Sequence, residues 1–150
     1  MANTARYVTF TVVGLAAVLG IAYLSLASFG AGWCGNKEIR SAESPNHRTR
    51  VIVFERDCGA TTDFTTQVII LRSGEKLGDR SGDVFVVDSD HGRAAPGPGG
   101  GPWVEAQWLS SDSLLIRYDD RARIFQQSIV VGGISVRYVG IRRVNGPSDR

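Results

Sequence analysis

Hydrophobic positions fall into two regimes along this chain. From Tyr7 to Phe29 the run YVTFTVVGLAAVLGIAYLSLASF holds no charged residue. As a helix it would extend roughly 34 Å at about 1.5 Å per residue, more than a hydrocarbon core of about 30 Å. A helix of that length on the surface of a soluble domain would carry a polar stripe, and none is visible. The run predicts one N-terminal transmembrane α-helix over 7–29 behind a short leader, 1–6, and makes the lipid bilayer the first expected partner. A cleaved signal peptide is the competing reading, since Ser25-Leu26-Ala27 has a small-x-small form. The apolar run exceeds the roughly 7–15 residues of an ordinary signal core, which favours a retained anchor.

After the span the period drops to two. Residues 30–48 are Gly-rich and then polar, ending in Ser44-Pro45-Asn46-His47, and predict a juxtamembrane linker closed by a turn. Val51-Ile52-Val53-Phe54, Thr65 to Leu71 and Asp83 to Asp88 are short β-branched and aromatic runs, each a predicted strand. The third follows a turn-rich stretch from Gly74 to Gly82. Asp90 to Pro102 (DHGRAAPGPGGGP) cannot hold a regular element and predicts a long loop, a feature that is uncommon unless functional or mobile. From Trp103, Val104, Ala106 and Trp108 alternate with Glu105 and Gln107. A turn at 110–113 then leads into Leu114 to Tyr118, and a second turn follows at Asp119-Asp120-Arg121.

Ile124 to Val131 meets Ile134, Val136 and Tyr138 across Gly132-Gly133, the two glycines supplying the positive φ of a two-residue hairpin. No amphipathic helical repeat follows the span. The pattern predicts an all-β domain over 49–144, about seven strands in an antiparallel sandwich or meander, with a tail at 145–150.

Composition changes this picture little. Of 150 residues, 17 are basic and 15 acidic, which argues against a nucleic-acid face. Beyond the span about 115 residues remain, enough for one core without many staples. The charges flanking the span, Arg6 on one side and Lys37 and Arg40 on the other, leave orientation open.

The two cysteines carry more. Cys34 and Cys58 are expected to pair in an oxidising compartment and to stay reduced in the cytosol. A bridge would close a loop of about 25 residues and contribute roughly 3.5 kcal/mol on the chain-entropy model. The pair favours a domain outside the cytoplasm. Neither thiol has partners at zinc spacing, so no metal is expected, and no cofactor motif is present.

The densest polar segment is Glu55-Arg56-Asp57-Cys58-Gly59-Ala60-Thr61-Thr62-Asp63. Its carboxylates Glu55, Asp57 and Asp63, with His91 as imidazole, make one candidate constellation, that of a small envelope hydrolase. The other reading is a disulfide-pinned connection whose Asp and Thr side chains satisfy turn amides. On that second reading the domain is a binding or accessory module, and its contact residues are drawn from Arg56, Thr61, Thr62, His91 and Trp103. Trp103 is included because it borders the Gly-Pro loop, where an aromatic ring suits an interface. Calcium binding by Asp83, Asp88 and Asp90 lacks the spacing of a twelve-residue loop with its closing Glu.

The runs FERDCGATTDFTTQVIIL (Phe54 to Leu71), VFVVD (Val84 to Asp88), Trp103–Leu109 and LLIRYDDRARIF together resemble a family of small bacterial envelope proteins. Its members join one N-terminal hydrophobic segment to a small domain with an ERDCGATT-type motif after a Ser-Pro turn. Here that turn reads Ser44-Pro45-Asn46-His47 rather than Ser-Pro-Asp-Gly. The resemblance spans roughly residues 34 to 140. It implies an envelope setting, with an envelope protein or polymer as the expected partner, and no particular activity.

Overall fold

The computed structural model describes residues 34–59 and 63–143, together with residues 14, 15, 18–21 and 23. The chain divides into two units, Met1–Trp33 and Cys34–Arg150. In the first, the described residues are helical, and Leu15, Val18, Leu19, Ile21 and Tyr23 are all exposed. Among the described residues no helix is long and apolar enough to cross a membrane. The rest of the predicted 7–29 span, the 1–6 leader and the 145–150 tail lie outside the described residues.

The second unit is all-β. Its strands are β1 (Gly35–Glu43), β2 (Thr49–Asp57), β3 (Thr65–Arg72), β4 (Phe85–Asp88), β5 (Val104–Ser110), β6 (Ser113–Asp119), β7 (Arg123–Gln127), β8 (Val130–Val131) and β9 (Ile134–Ile141). They form a five-stranded sheet, β1-β2-β3-β4-β7, and a four-stranded sheet, β5-β6-β9-β8. Valine and phenylalanine side chains from the first sheet (Val51, Val53, Val68, Val84, Phe85, Val87) face Val104, Ala106, Leu114, Ile116, Ile134 and Val136 of the second across one core. Trp108 donates from Nε1 to the Ala42 carbonyl at 2.9 Å, tying the β5 edge to β1.

Three expectations are corrected. The linker predicted over 30–48 is instead strand from Gly35 to Glu43, nine residues paired antiparallel with β2. As an edge strand interrupted by a bulge between Glu38 and Arg40, β1 turns only Ile39 and Ala42 partly inward. Its polar sequence therefore hides the pairing.

The expected C-terminal hairpin arm from Ile124 to Val131 is divided, which, with β1, raises the strand number among the described residues to nine. β7 pairs with β4, and only Val130–Val131 pairs with β9 across Gly132 (φ 58) and Gly133 (φ 83). The third correction follows from the second. Because the chain visits the opposite sheet between β6 and β8, β9 returns beside β6 in parallel. The sandwich is thus mixed rather than purely antiparallel.

The middle of the five-stranded sheet, β2 and β3, is buried on both faces. On its outer face Ile52, Phe54, Ile69 and Leu71 pack against Leu77 from the 73–82 connection, which lies over them as a strap. Gln67 Oε1 accepts from the Gly82 amide at 2.7 Å and from Ser81 Oγ at 3.1 Å, fixing one end of the strap. Alternation along β2 sends Val51, Val53 and Glu55 inward and Ile52, Phe54 and Arg56 outward.

Candidate functional site

The inward parity of β2 puts Glu55 at the end of the core, where the apolar side chains give out. Across the strands its neighbours are Lys37 of β1 and Thr66 of β3. Glu55 is 8% exposed, and its Oε2 is sealed from solvent without a hydrogen-bond partner. Thr66 is buried as well and donates from Oγ1 to the Pro102 carbonyl at 2.7 Å.

The covering chain is the Gly-Pro loop. An antiparallel bridge between Pro96 and Pro102 pinches it, with the Gly97 amide donating to the Gly101 carbonyl at 2.7 Å. The segment inside the pinch has glycine where it meets the sheet because nothing larger fits. A Cβ on Gly99 would stand 2.8 Å from Ile39 Cδ1 and 2.9 Å from Glu55 Oε2. One on Gly101 would stand 2.6 Å from Thr66 Oγ1 and 3.1 Å from the Thr66 amide nitrogen. Gly100, at φ 96, rests near the Phe64 ring. The polyglycine run is therefore a close-packed cover, and it joins the long loop to the strand that follows the ERDCGATT segment.

Beside this cover a groove of about 350 Å³ opens between the two sheets, lined by Ile39, Arg40, Thr66, Pro98, Trp103 and Glu105 among others. Arg40 and Glu105 face each other across the sheets at 3.7 Å, and Arg117 reaches the other Glu105 oxygen at 3.3 Å. The Arg143 guanidinium stacks over the Trp103 ring at 4.7 Å, so half-buried Trp103 presents a π-face already matched to a cation.

The remaining predicted residues lie in different settings. Arg56 points to the outer face, where Nη1 donates to Asn36 Oδ1 and to the Asp79 carbonyl, both at 2.9 Å; it holds the strap. Asp57 Oδ1 accepts from the Gly59 amide at 2.9 Å, a turn cap as the second reading expected. Asp63 is exposed, within electrostatic reach of Arg123, whose pKa is raised by its hydrogen bond to Asp88 and by the charges of Asp88, Asp90 and Asp63. Thr61 and Thr62 lie outside the described residues.

His91 is exposed and left-handed (φ 58), between Asp90 (φ 48) and Gly92 (φ 83). Among the described residues no hydrogen bond joins any two of Glu55, Asp57, Asp63 and His91. Asp88 is occupied by Arg123, and Asp83 Oδ1 accepts from the Ile70 amide at 3.3 Å. Burial pushes the Asp83 pKa up. No group of three His, Cys, Asp or Glu side chains among the described residues is placed to hold a metal.

Cys34 and Cys58 form a disulfide, one register step beyond the Gly35–Asp57 pair that ends the β1–β2 ladder. The bridge ties the edge strand to the strand that carries Glu55. Sequence reasoning found Trp103, Glu55 and the Gly-Pro loop but missed Ile39, Arg40, Thr66 and Glu105. These come from three strands far apart in the chain, and each reads locally as an ordinary strand or linker position. Compared with known proteins, the chain matches no family model, no curated protein and no solved structure.

Proposed function

We propose that this chain is a membrane-tethered binding module. In this reading residues 7–29 anchor it in a bacterial inner membrane, and the β-sandwich from Cys34 onward stands on the periplasmic or extracellular side. There it contacts an envelope protein or polymer. Support for the address comes from the Cys34–Cys58 disulfide, which persists in oxidising compartments, and from the exposed apolar side chains of the helical residues between 14 and 23. The family resemblance, with its hydrophobic segment ahead of a small domain, agrees with that setting.

One observation carries the binding role. The Gly-Pro loop folds onto the end of the β1–β2–β3 surface and leaves beside it a groove of about 350 Å³ with one aromatic ring and opposed charges. Small concave sites with few polar groups on a rigid scaffold are typical binding sites. A photo-crosslinking residue at position 98 or 105 tests the reading, with one at exposed Asp112 on the β5–β6 turn as control. In membranes of the native host, 98 and 105 should yield the same discrete adduct and 112 none. Equal labelling from all three positions, or none from the groove, refutes the groove as the contact surface.

A further inference from the structure

We propose that Glu55 is the anionic floor of a second, covered compartment of this groove, which takes the cationic side chain (guanidinium or alkylammonium) of a partner polypeptide when the 97–101 loop lifts. The inference rests on the groove reading above and names the chemistry it selects.

A carboxylate removed from water is kept only where charge or hydrogen bonds compensate it, and an uncompensated one calls for an explanation. Glu55 is 8% exposed, with Oε2 sealed and unpartnered. The cations of the adjacent strand do not supply the compensation. Lys37, directly opposite on β1, is exposed, and Arg40 is paired with Glu105 at 3.7 Å. Among the described residues no ion pair includes Glu55.

What lies over the carboxylate is backbone that makes no hydrogen bond to it, at Gly99 and Gly100. Cβ atoms there would come within 2.9 and 3.2 Å of Oε2. The closed cover therefore holds Oε2 out of water without satisfying it, a state that any entering donor would relieve. Pro98 and Pro102, at the two ends of the glycine run, are walls of the open groove, so lifting the run joins the two spaces. Trp103 on the groove wall already stacks a guanidinium, that of Arg143, and the Glu105 carboxylate already holds two more, those of Arg40 and Arg117. Anion, π-face and carboxylate are a match for a flat or compact cation at the end of a flexible stem.

The test uses the full chain in detergent micelles, with the amides of Gly99, Gly100 and Gly101 followed by NMR. Methylguanidinium and methylammonium chlorides are titrated against sodium chloride at equal ionic strength. Saturable shifts confined to these amides and the Trp103 side chain are expected with either organic cation and not with sodium. In Glu55→Gln, which keeps the shape, the affinity should fall at least roughly tenfold while the β2–β3 amide pattern stays unchanged. Gly99→Ala, which pushes the cover off Ile39 and Glu55, should bind more tightly than wild type.

No saturable shift in the wild type, or the same shift in Glu55→Gln, overturns the proposal. The groove reading is judged separately. If Glu55→Gln still gives the position-98 adduct at wild-type yield, the groove stands and the cation site falls. If the cations bind but position 98 gives no adduct, the reverse holds.

Discussion

Asp119 is fully buried at the end of β6, and Arg121, two residues on, closes on both its oxygens, Nε to Oδ1 at 2.9 Å and Nη2 to Oδ2 at 2.8 Å. The same carboxylate accepts from the Ala95 amide at 3.2 Å and the Arg121 amide at 3.0 Å. Arg121 also donates to the Arg143 carbonyl at 2.7 Å, and Arg143 covers Trp103. One buried carboxylate thus holds the Gly-Pro loop at Ala95 and, through Arg121, the residue that stacks on Trp103.

The pH dependence follows from that geometry. Hydrogen bonding from Arg121, the largest influence, holds the Asp119 carboxyl at about 2 against an ordinary 3.8, although burial pushes the other way. The folded pKa is the lower one, so the stabilisation is complete above about pH 4 and is lost as pH falls toward about 2. Its size is about 2 kcal/mol, at 1.36 kcal/mol per pH unit. Denaturant midpoints between pH 2 and 6 should show this acid limb. Asp119→Asn should remove it and cost about 2–3 kcal/mol at neutral pH.

Reducing the Cys34–Cys58 bridge, or replacing both cysteines by serine, should lower stability by about 3 kcal/mol through release of a 24-residue separation. The loss should be graded along the fold. β1 is an edge strand held on one side only, so its amides should exchange first, while those of β2 and β3 keep most of their protection. Uniform loss of protection in all three strands would show the bridge to be a global staple instead.

On the outer face, Gln67 should matter more than its polarity suggests. Gln67→Leu keeps the volume but leaves the buried Gly82 amide without its acceptor, a loss of about 1–3 kcal/mol. Ser81→Ala removes only a partly exposed partner of the same oxygen and should cost less than about 1 kcal/mol. Chemical denaturation of the two variants separates the cases.

Tyr138 links the sheets, its hydroxyl donating to the Ser128 carbonyl at 2.6 Å with the Val84 carbonyl also within 3.1 Å. Burial, the larger influence, raises its pKa. With the folded value above the unfolded one, the stabilisation is whole below about pH 10 and shrinks as pH rises beyond it. Tyr138→Phe should flatten that alkaline limb and cost about 1 kcal/mol at neutral pH. Urea midpoints from pH 7 to 11 provide the comparison.

What the sequence made legible was what depends on nearest neighbours. The alternation from Val104 to Trp108, the β-branched run of β2 and the Gly132-Gly133 hairpin all follow from local period and turn chemistry, and each stands in the fold. The cysteine pairing was readable because only two cysteines exist. What escaped depends on partners distant in sequence. β1 is polar because an edge strand buries little, and β7 leaves its hairpin arm because β4 offers it a free edge in the other sheet. The same holds for the site. Glu55 was marked as polar and interesting, but its significance comes from parity on β2 and from glycines more than 40 residues later, which no local pattern joins.

Burial, rather than residue type, decides the last pair of substitutions. Phe85 is fully buried on β4, its ring 5.0 Å from that of Tyr118 and 5.2 Å from that of Tyr138. Phe125 lies at the β4–β7 bulge with 58% of its surface exposed and Arg123 over its ring at 4.9 Å. Phe85→Ala removes the aromatic contact between the sheets and should cost about 3–5 kcal/mol, enough to unfold much of a marginal domain. Phe125→Ala leaves no cavity and gives up one exposed cation–π contact, for which about 0.5–1 kcal/mol is expected. Thermal melts of the two variants should differ accordingly. Comparable losses would mean that Phe125 is covered in solution by something the single chain does not provide, since the fold itself gives its ring too little contact to account for them.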